Sequence, residues 1–269
     1  TYSEFGAYSQ LVKDFLDERL KVTASARFDK SEFFDGRVTP RVSVAYTAGE
    51  NRNHNIRASY QTGFRNPSTQ GLFIGLDLGV AKLVGGAPNN PSRFSADYDV
   101  SVDGQAMGMP ASVTLTGDSA YTNSYSVSSV TAFAAAAATG NIDPTILERS
   151  GADYVVPEEM IQFELGYRGK FLFDDHSVSS LIIDANVYRN DFKNFINTLT
   201  VVTPIYGSIS DGSAVAAIGN QDFDAWSVYT NADAEVASWG ATIGMEAQVG
   251  SFDLAANYAK QVLEFDRDA

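Results

Sequence analysis

Apolar and polar residues alternate along much of the chain. Leu20, Val22, Ala24, Ala26 and Phe28 share one parity, with Lys21, Thr23, Ser25, Arg27 and Asp29 on the other. Successive side chains of a strand point to opposite faces, so such a segment has one apolar and one polar wall. The pattern returns with Val42, Val44 and Tyr46 against Arg41 and Ser43, then with Ile56, Ala58, Tyr60, Thr62 and Phe64 against Asn55, Arg57, Ser59, Gln61 and Arg65. Further on, Ile161, Phe163, Leu165 and Tyr167 oppose Gln162, Glu164 and Arg168. Leu181, Ile183, Ala185 and Val187 oppose Asp184 and Asn186, with Ile182 breaking the polar parity. Trp239, Ala241, Ile243, Met245, Ala247 and Val249 oppose Thr242, Glu246 and Gln248. Weaker strands are predicted around residues 5–11 and 254–261, which brings the count to eight.

The connections are unequal. Short links at 17–19, 49–54, 173–177 and 250–253 alternate with a modest one at 29–37 and long ones at 66–157 and 198–233. Short turns on one side and long loops on the other is the layout of a transmembrane β-barrel, whereas a soluble sandwich keeps its connections short. The first long insertion carries apolar stretches at 72–78 and 80–84 and a predicted helix over 128–139. Gly140 stands at its stop position, and Val127, Val130, Phe133 and Ala137 share one face. A second short helix is predicted over 144–150, with Asp143 as N-cap, Pro144 in the first turn and Gly151 as the stop. Structured loops over a barrel mouth are where ligand contacts concentrate.

Composition narrows the choice. The 269 residues carry a net charge of −14, without the basic footprint of a nucleic-acid binder. With zero cysteines, disulfides, thiol catalysis and Cys-ligated zinc are excluded. The longest small-apolar run, 134–138, is far too short for a membrane-spanning helix, a statement that does not touch barrel strands. If the apolar parity faces lipid, Tyr46, Tyr60, Tyr167, Tyr258 and Trp239 are expected toward strand ends as an aromatic girdle. The opposite parity carries Lys21, Arg27, Arg41, Arg57, Arg65, Glu164, Arg168, Asp184 and Glu246. A charge at mid-depth in lipid costs about 2–4 kcal/mol, so this wall must be wet or packed on protein. Salt bridges and hydrogen bonds are the bland use of these groups; Arg65 and Arg168, read as lying near the loops, are candidate ligand contacts.

Catalytic chemistry finds little support. His54 and His176 fall in short turns away from any nucleophile pattern, and the neighbours Asp174, Asp175 and His176 diverge too much to hold a metal. The Gly-rich stretch 71–86 lacks a phosphate-loop signature, and 66–70 reads as a strand-to-loop corner that puts Asn66 and Gln70 at the mouth as candidate contacts. The segment 222–235 combines Asp222, Asp224, Asp233 and Glu235 with Phe223, Trp226 and Tyr229. Aromatic platforms beside carboxylates hold sugars or cations, and the carboxylates alone suit calcium; a solvated acidic loop remains the plainer reading.

The run Asn53-His54-Asn55-Ile56-Arg57-Ala58-Ser59-Tyr60-Gln61-Thr62-Gly63-Phe64-Arg65-Asn66-Pro67 resembles the strand-and-loop signature of TonB-dependent outer-membrane receptors, in particular the Bacteroidetes branch. Residues 20–29 followed by Pro40-Arg41-Val42-Ser43 support it, as do Pro157 with Phe163-Glu164-Leu165-Gly166-Tyr167-Arg168-Gly169 and Asp184-Ala185-Asn186-Val187-Tyr188-Arg189-Asn190-Asp191-Phe192. The resemblance implies an all-β, antiparallel transmembrane barrel of about 22 strands with a plugged lumen. The chain would be an internal piece of about eight strands, since no plug segment appears and Asp268-Ala269 does not close with an aromatic strand. Its strands would occupy 1–65 and 158–265, with extracellular loops at 66–157 and 198–233. The resemblance further implies a cell outer membrane location and no cofactor. The implied partners are outer-membrane lipid, TonB through the missing N-terminal region, the protein's own plug, and a scarce nutrient (siderophore, glycan or peptide). A passive porin-like or structural outer-membrane barrel and a soluble extracellular β-sandwich binding module are the competing readings, and an enzyme is the least favoured. The sandwich requires two sheets stacked with their apolar faces hidden.

Overall fold

The computed structural model describes residues 3–79, 81–174, 177–232, 234 and 236–265. Four long strands open the chain: β1 Glu4–Phe15, β2 Leu20–Ser31, β3 Arg37–Ala48 and β4 His54–Arg65. A long insertion follows, with α1 Thr69–Phe73, β5 Gly75–Asp77, β6 Lys82–Val84, β7 Ser95–Asp99, α2 Val102–Ala106, β8 Ser112–Thr116, α3 Asp118–Thr122, β9 Tyr125–Ser126 and α4 Val127–Ala137. Then come β10 Glu158–Leu172 and β11 Val178–Lys193, a second insertion with β12 Ile196–Pro204, α5 Ala214–Gly219 and β13 Phe223–Asn231, and finally β14 Val236–Val249 and β15 Phe252–Phe265. The elements divide into two compact units, one made of the eight long strands and one of the two insertions, 66–157 and 196–232.

The first unit is a single antiparallel sheet in the order β1-β2-β3-β4-β10-β11-β14-β15. Its register carries the predicted parity across all eight strands. Leu11 lies opposite Ala24, Ala24 opposite Val42, Val42 opposite Tyr60, and Tyr60 opposite Phe163. Leu165 lies opposite Val187, Val187 opposite Ala241, and Ile243 opposite Tyr258. One face is therefore mainly apolar, with charged exceptions such as Lys13 opposite Val22, Arg189 opposite Trp239 and Lys260 opposite Ala241, and nothing in the sheet covers it: Leu165 is 53% exposed, Val187 51% and Leu11 69%. Among the described residues every buried apolar side chain, from Leu72 to Val228, belongs to the second unit. A one-layer sheet with a bare apolar face is not half of a sandwich, and that reading falls.

The flanking strands β1 and β15 are longer than the weak patterns at 5–11 and 254–261 indicated, because backbone pairing to β2 and β14 extends them past the alternating residues. The girdle needs correction. Tyr46 and Tyr167 sit near the short-turn ends and Trp239 near the other end, but Tyr60 and Tyr258 lie at mid-strand beside Phe163 and Ile243. His54 is the first residue of β4, not a solvated turn residue: its Nδ1 is 2.8 Å from the Tyr167 hydroxyl and its ring meets Phe171 edge-on at 5.2 Å. His176 and Asp175 lie outside the described residues, as do Val80, Asp233, Glu235 and the last four residues.

The second unit has its own core. Its five-stranded sheet runs β5-β6-β13-β12-β9, with β7-β8 as a separate hairpin. Both insertions contribute: the β12–β13 hairpin from the second lies between β6 and β9 from the first. Trp226 is fully buried, meets Phe94 edge-on at 5.6 Å and clusters with Val84, Tyr121, Val201 and Val228. The predicted helix at 128–139 is α4, capped by Ser126 accepting from the Ser129 N–H at 3.2 Å. Its buried side is Ser129, Val130 and Phe133, while Val127 points out, 43% exposed. The second predicted helix is only a single 3-10 turn, Pro144–Ile146, although Asp143 caps it as expected. Leu147 is already extended, because the chain there turns to pair with β9: Ser126 N–H donates to the Glu148 carbonyl and Arg149 bridges Tyr125.

The bare face makes a direct prediction. Ile243→Arg should lower the yield of membrane-inserted full-length protein, at about 2–4 kcal/mol for a cation at mid-depth, whereas Gln248→Arg on the polar face should insert normally. Membrane fractionation with heat-modifiable gel mobility reads both.

Candidate functional site

The polar face of the eight-stranded sheet gathers the charges that parity assigned to it. Arg57 reaches Asp184 at 3.4 Å and Glu164 at 3.9 Å, and Arg168 reaches Asp184 at 3.6 Å. Asn186 donates to Glu164 at 3.3 Å and accepts from Thr242 at 2.6 Å, while Asn190 donates to Ser238 at 3.1 Å. Gln61 and Gln162 bond across the β4–β10 pair. Arg57 can cross β10 because its register partner is Gly166, where a Cβ would stand 2.6 Å from the Arg57 Nε. Four charged groups thus compensate one another on a face that cannot be buried in hydrocarbon.

Within the eight-stranded unit the two candidate ligand contacts, Arg65 and Arg168, lie far apart. Arg65 ends β4 and pairs with Glu158, its register partner, at 2.7 Å. Arg168 is opposite Asn55, ten residues down β4 from Arg65, a separation of about 33 Å along the strand. Arg168 therefore lies near the short turns and not near the loops, because β10 runs from the insertion toward its turn with Leu172.

The remaining candidates belong to the second unit. Asn66 precedes α1 and Gln70 is an exposed residue within it, after Ser68 as N-cap. Tyr229 packs beside that helix, its ring 3.3 Å from where a Gly71 Cβ would stand. The described part of 222–235 is neither an open platform nor a solvated loop: most of it is strand β13, and Asp222 and Asp224 are engaged by distant residues. Asp222 is buried and accepts from the Ser101 N–H and hydroxyl, both at 2.8 Å. Ser101 also caps α2 by accepting from the Gly104 N–H at 3.1 Å, and a Cβ at Gly104 would meet Asp222 Oδ2 at 2.6 Å. Asp224 accepts from the Tyr98 hydroxyl at 2.6 Å and pairs with Lys82 at 3.2 Å, and Lys82 lies 5.4 Å over the Tyr98 ring. Burial first, and the bond to Asp224 second, push the Tyr98 phenol far above its usual range; burial does the same to Tyr121. Ser101, Tyr98 and Lys82 escaped the sequence reading. Ser101 was detectable as a helix cap before Val102-Asp103-Gly104, but nothing in the sequence ties it to Asp222. No cluster of metal-ligating residues occurs among the described residues.

The chain matches the family of TonB-dependent receptor-like β-barrels over residues 1–268, and it belongs to that family. The match is to the family and not to a branch within it. The chain is similar in fold to the siderophore receptor PirA from Acinetobacter baumannii, with a TM-score of 0.50 and 12% identity over 98% of this chain and 28% of that one. The FrpB iron transporter from Neisseria meningitidis gives a TM-score of 0.47 and 10% identity, covering 98% and 27%. PirA from Pseudomonas aeruginosa gives 0.41 and 11%, covering 97% and 41%. The chain thus spans less than half the length of these structures. Among curated proteins nothing matches it.

Two outcomes follow for the second unit. Asp222→Ala should remove two charge-assisted hydrogen bonds and speed amide exchange over residues 100–109 by at least roughly tenfold, with exchange in β10 and β11 unchanged; hydrogen-exchange mass spectrometry resolves the two regions. Raised phenol pKa values mean that the contribution of Tyr98 and Tyr121 is complete below the usual tyrosine value of about 10 and is lost as pH rises past it, because the unfolded chain ionises first. In an alkaline titration, part of the tyrosinate absorbance should appear together with a change in Trp226 fluorescence, and Tyr98→Phe should reduce that shared step.

Proposed function

We propose that this chain is part of the barrel of an outer-membrane TonB-dependent transporter, which takes up a nutrient too large or too dilute for passive diffusion. The observation that carries the reading is the uncovered apolar face of an eight-stranded antiparallel sheet in a chain of this family. Hydrocarbon is the solvent in which that face is stable, and only closed, fully hydrogen-bonded sheets are viable there. The second unit is then the extracellular part, since both insertions leave the sheet from the ends opposite the short turns. A structured unit in that place supports ligand capture; its side chains do not single out siderophore, glycan or peptide. Lipid contacts the apolar face, a plug fills the lumen, and TonB engages the plug side of the protein. The Bacteroidetes branch rests on the motifs in 53–67, 157–169 and 184–192 alone.

The test is energised uptake by the full-length protein in its own cells. Growth on the limiting nutrient should require both this gene and TonB and should stop when the inner-membrane proton gradient is collapsed. Uptake that continues without TonB would leave the passive porin.

A further inference from the structure

We infer that the polar face of the sheet holds an oxyanion-binding site on β2, β3 and β4, formed by Lys21, Arg41 and Arg57 around the hydroxyls of Thr23, Ser43 and Ser59. These side chains line one concavity of about 310 Å³. The register explains its make-up. Thr23, Ser43 and Ser59 are successive cross-strand partners and form one row; Lys21, Ala45 and Arg57 form the next row toward the short turns, and Ser25, Arg41 and Gln61 the next row away from them. A row of hydroxyl donors thus lies between two rows that carry cations. Phosphate, sulfate and carboxylate oxygens are recognised by such mixtures, with guanidinium the better fork for a planar pair of oxygens.

The charges on the neighbouring strands leave a surplus. Glu164 forms one wall and is occupied by Arg57 and Asn186. Asp14 stands 4.0 Å from Lys21, and Asp184 is shared by Arg57 and Arg168. The Arg41 guanidinium has no hydrogen-bond or ion-pair partner among the described residues, so on this wall its charge is the free one, in a chain whose net charge is −14. A concave wall with one surplus cation concentrates anions locally. The inference rests on the transporter reading for one point only, that this face lines the lumen beside the plug with water reaching Arg41. It adds the chemical class that would pass along the wall: a solute bearing a phosphate, sulfate or carboxylate group.

The full-length protein, purified in detergent from outer membranes, is titrated with inorganic phosphate and followed by phosphorus NMR line broadening, with acetate as competitor. Binding should occur, weaken roughly tenfold or more in Arg41→Gln, recover in part in Arg41→Lys and stay unchanged in Lys13→Gln on the opposite face. Displacement by acetate at similar concentration would assign carboxylates as the natural group; resistance to acetate would assign tetrahedral oxyanions. Absence of phosphate binding in the wild type, as when a plug already covers Arg41, or equal binding by Arg41→Gln, overturns the site. Failure of the protein to fractionate with outer membranes would overturn the transporter reading instead and leaves the titration to judge the site alone.

Discussion

The backbone of an extended sheet can satisfy its polar groups only sideways, strand to strand, and that constraint organises the molecule. Each of the six interior long strands is paired on both flanks, so the sheet needs nothing above or below it to complete its hydrogen bonds. Its two faces are then free to differ completely. One presents Leu, Val, Ile and Phe without cover, which in water would forgo about 1.5–3 kcal/mol for each large side chain left exposed. The same chain builds an ordinary buried core around Trp226, so its sequence is able to hide apolar surface and does so only in the insertions. An uncovered face of this extent is a specification of solvent.

The opposite face obeys the complementary rule. Its charges compensate one another across strands, and the arrangement depends on a missing side chain: Gly166 opens the path along which Arg57 crosses β10 to Asp184. The insertions are coupled in a different way. Because the β12–β13 hairpin sits inside a sheet whose other strands come from residues 66–157, neither insertion has a complete core without the other. They form one folded body rather than two independent loops, held also by polar locks such as Asp222 with Ser101 and Asp224 with Tyr98 and Lys82.

The long strands were legible because a half-buried strand writes its environment into every second residue, and the register then extends one strand's parity to its neighbours. What was not legible depends on contacts distant in the chain. Strands β12 and β13 escape a parity reading for different reasons: in β12 Val201, Val202 and Thr203 are all buried, so alternation is absent, whereas β13 alternates in burial but its buried set, Trp226, Val228 and Thr230, is too mixed in polarity to stand out from Ser227 and Tyr229. Asp222, Asp224 and Trp226 suggested an open platform because sequence shows the residues side by side and hides the partners more than a hundred positions away that occupy them. Arg168 stands just before the short link at 173–177, so chain order already sets it away from the loops, and its register partner Asn55 agrees. Tyr60 and Tyr258 followed the girdle pattern in type but not in depth, since parity fixes a face and says nothing of height along it.

The central claim is that neighbouring residues of one strand contact different solvents. The chain contains no cysteine, so single cysteines can be introduced along β11 from position 181 to 189 of the full-length protein and spin-labelled in a lipid bilayer. Collision rates with oxygen, which concentrates in hydrocarbon, should be high at 181, 183, 185 and 187 and low at the even positions between them, with a water-soluble nickel chelate showing the reverse. A profile without that two-residue period, or one in which every position is open to nickel, would contradict the account.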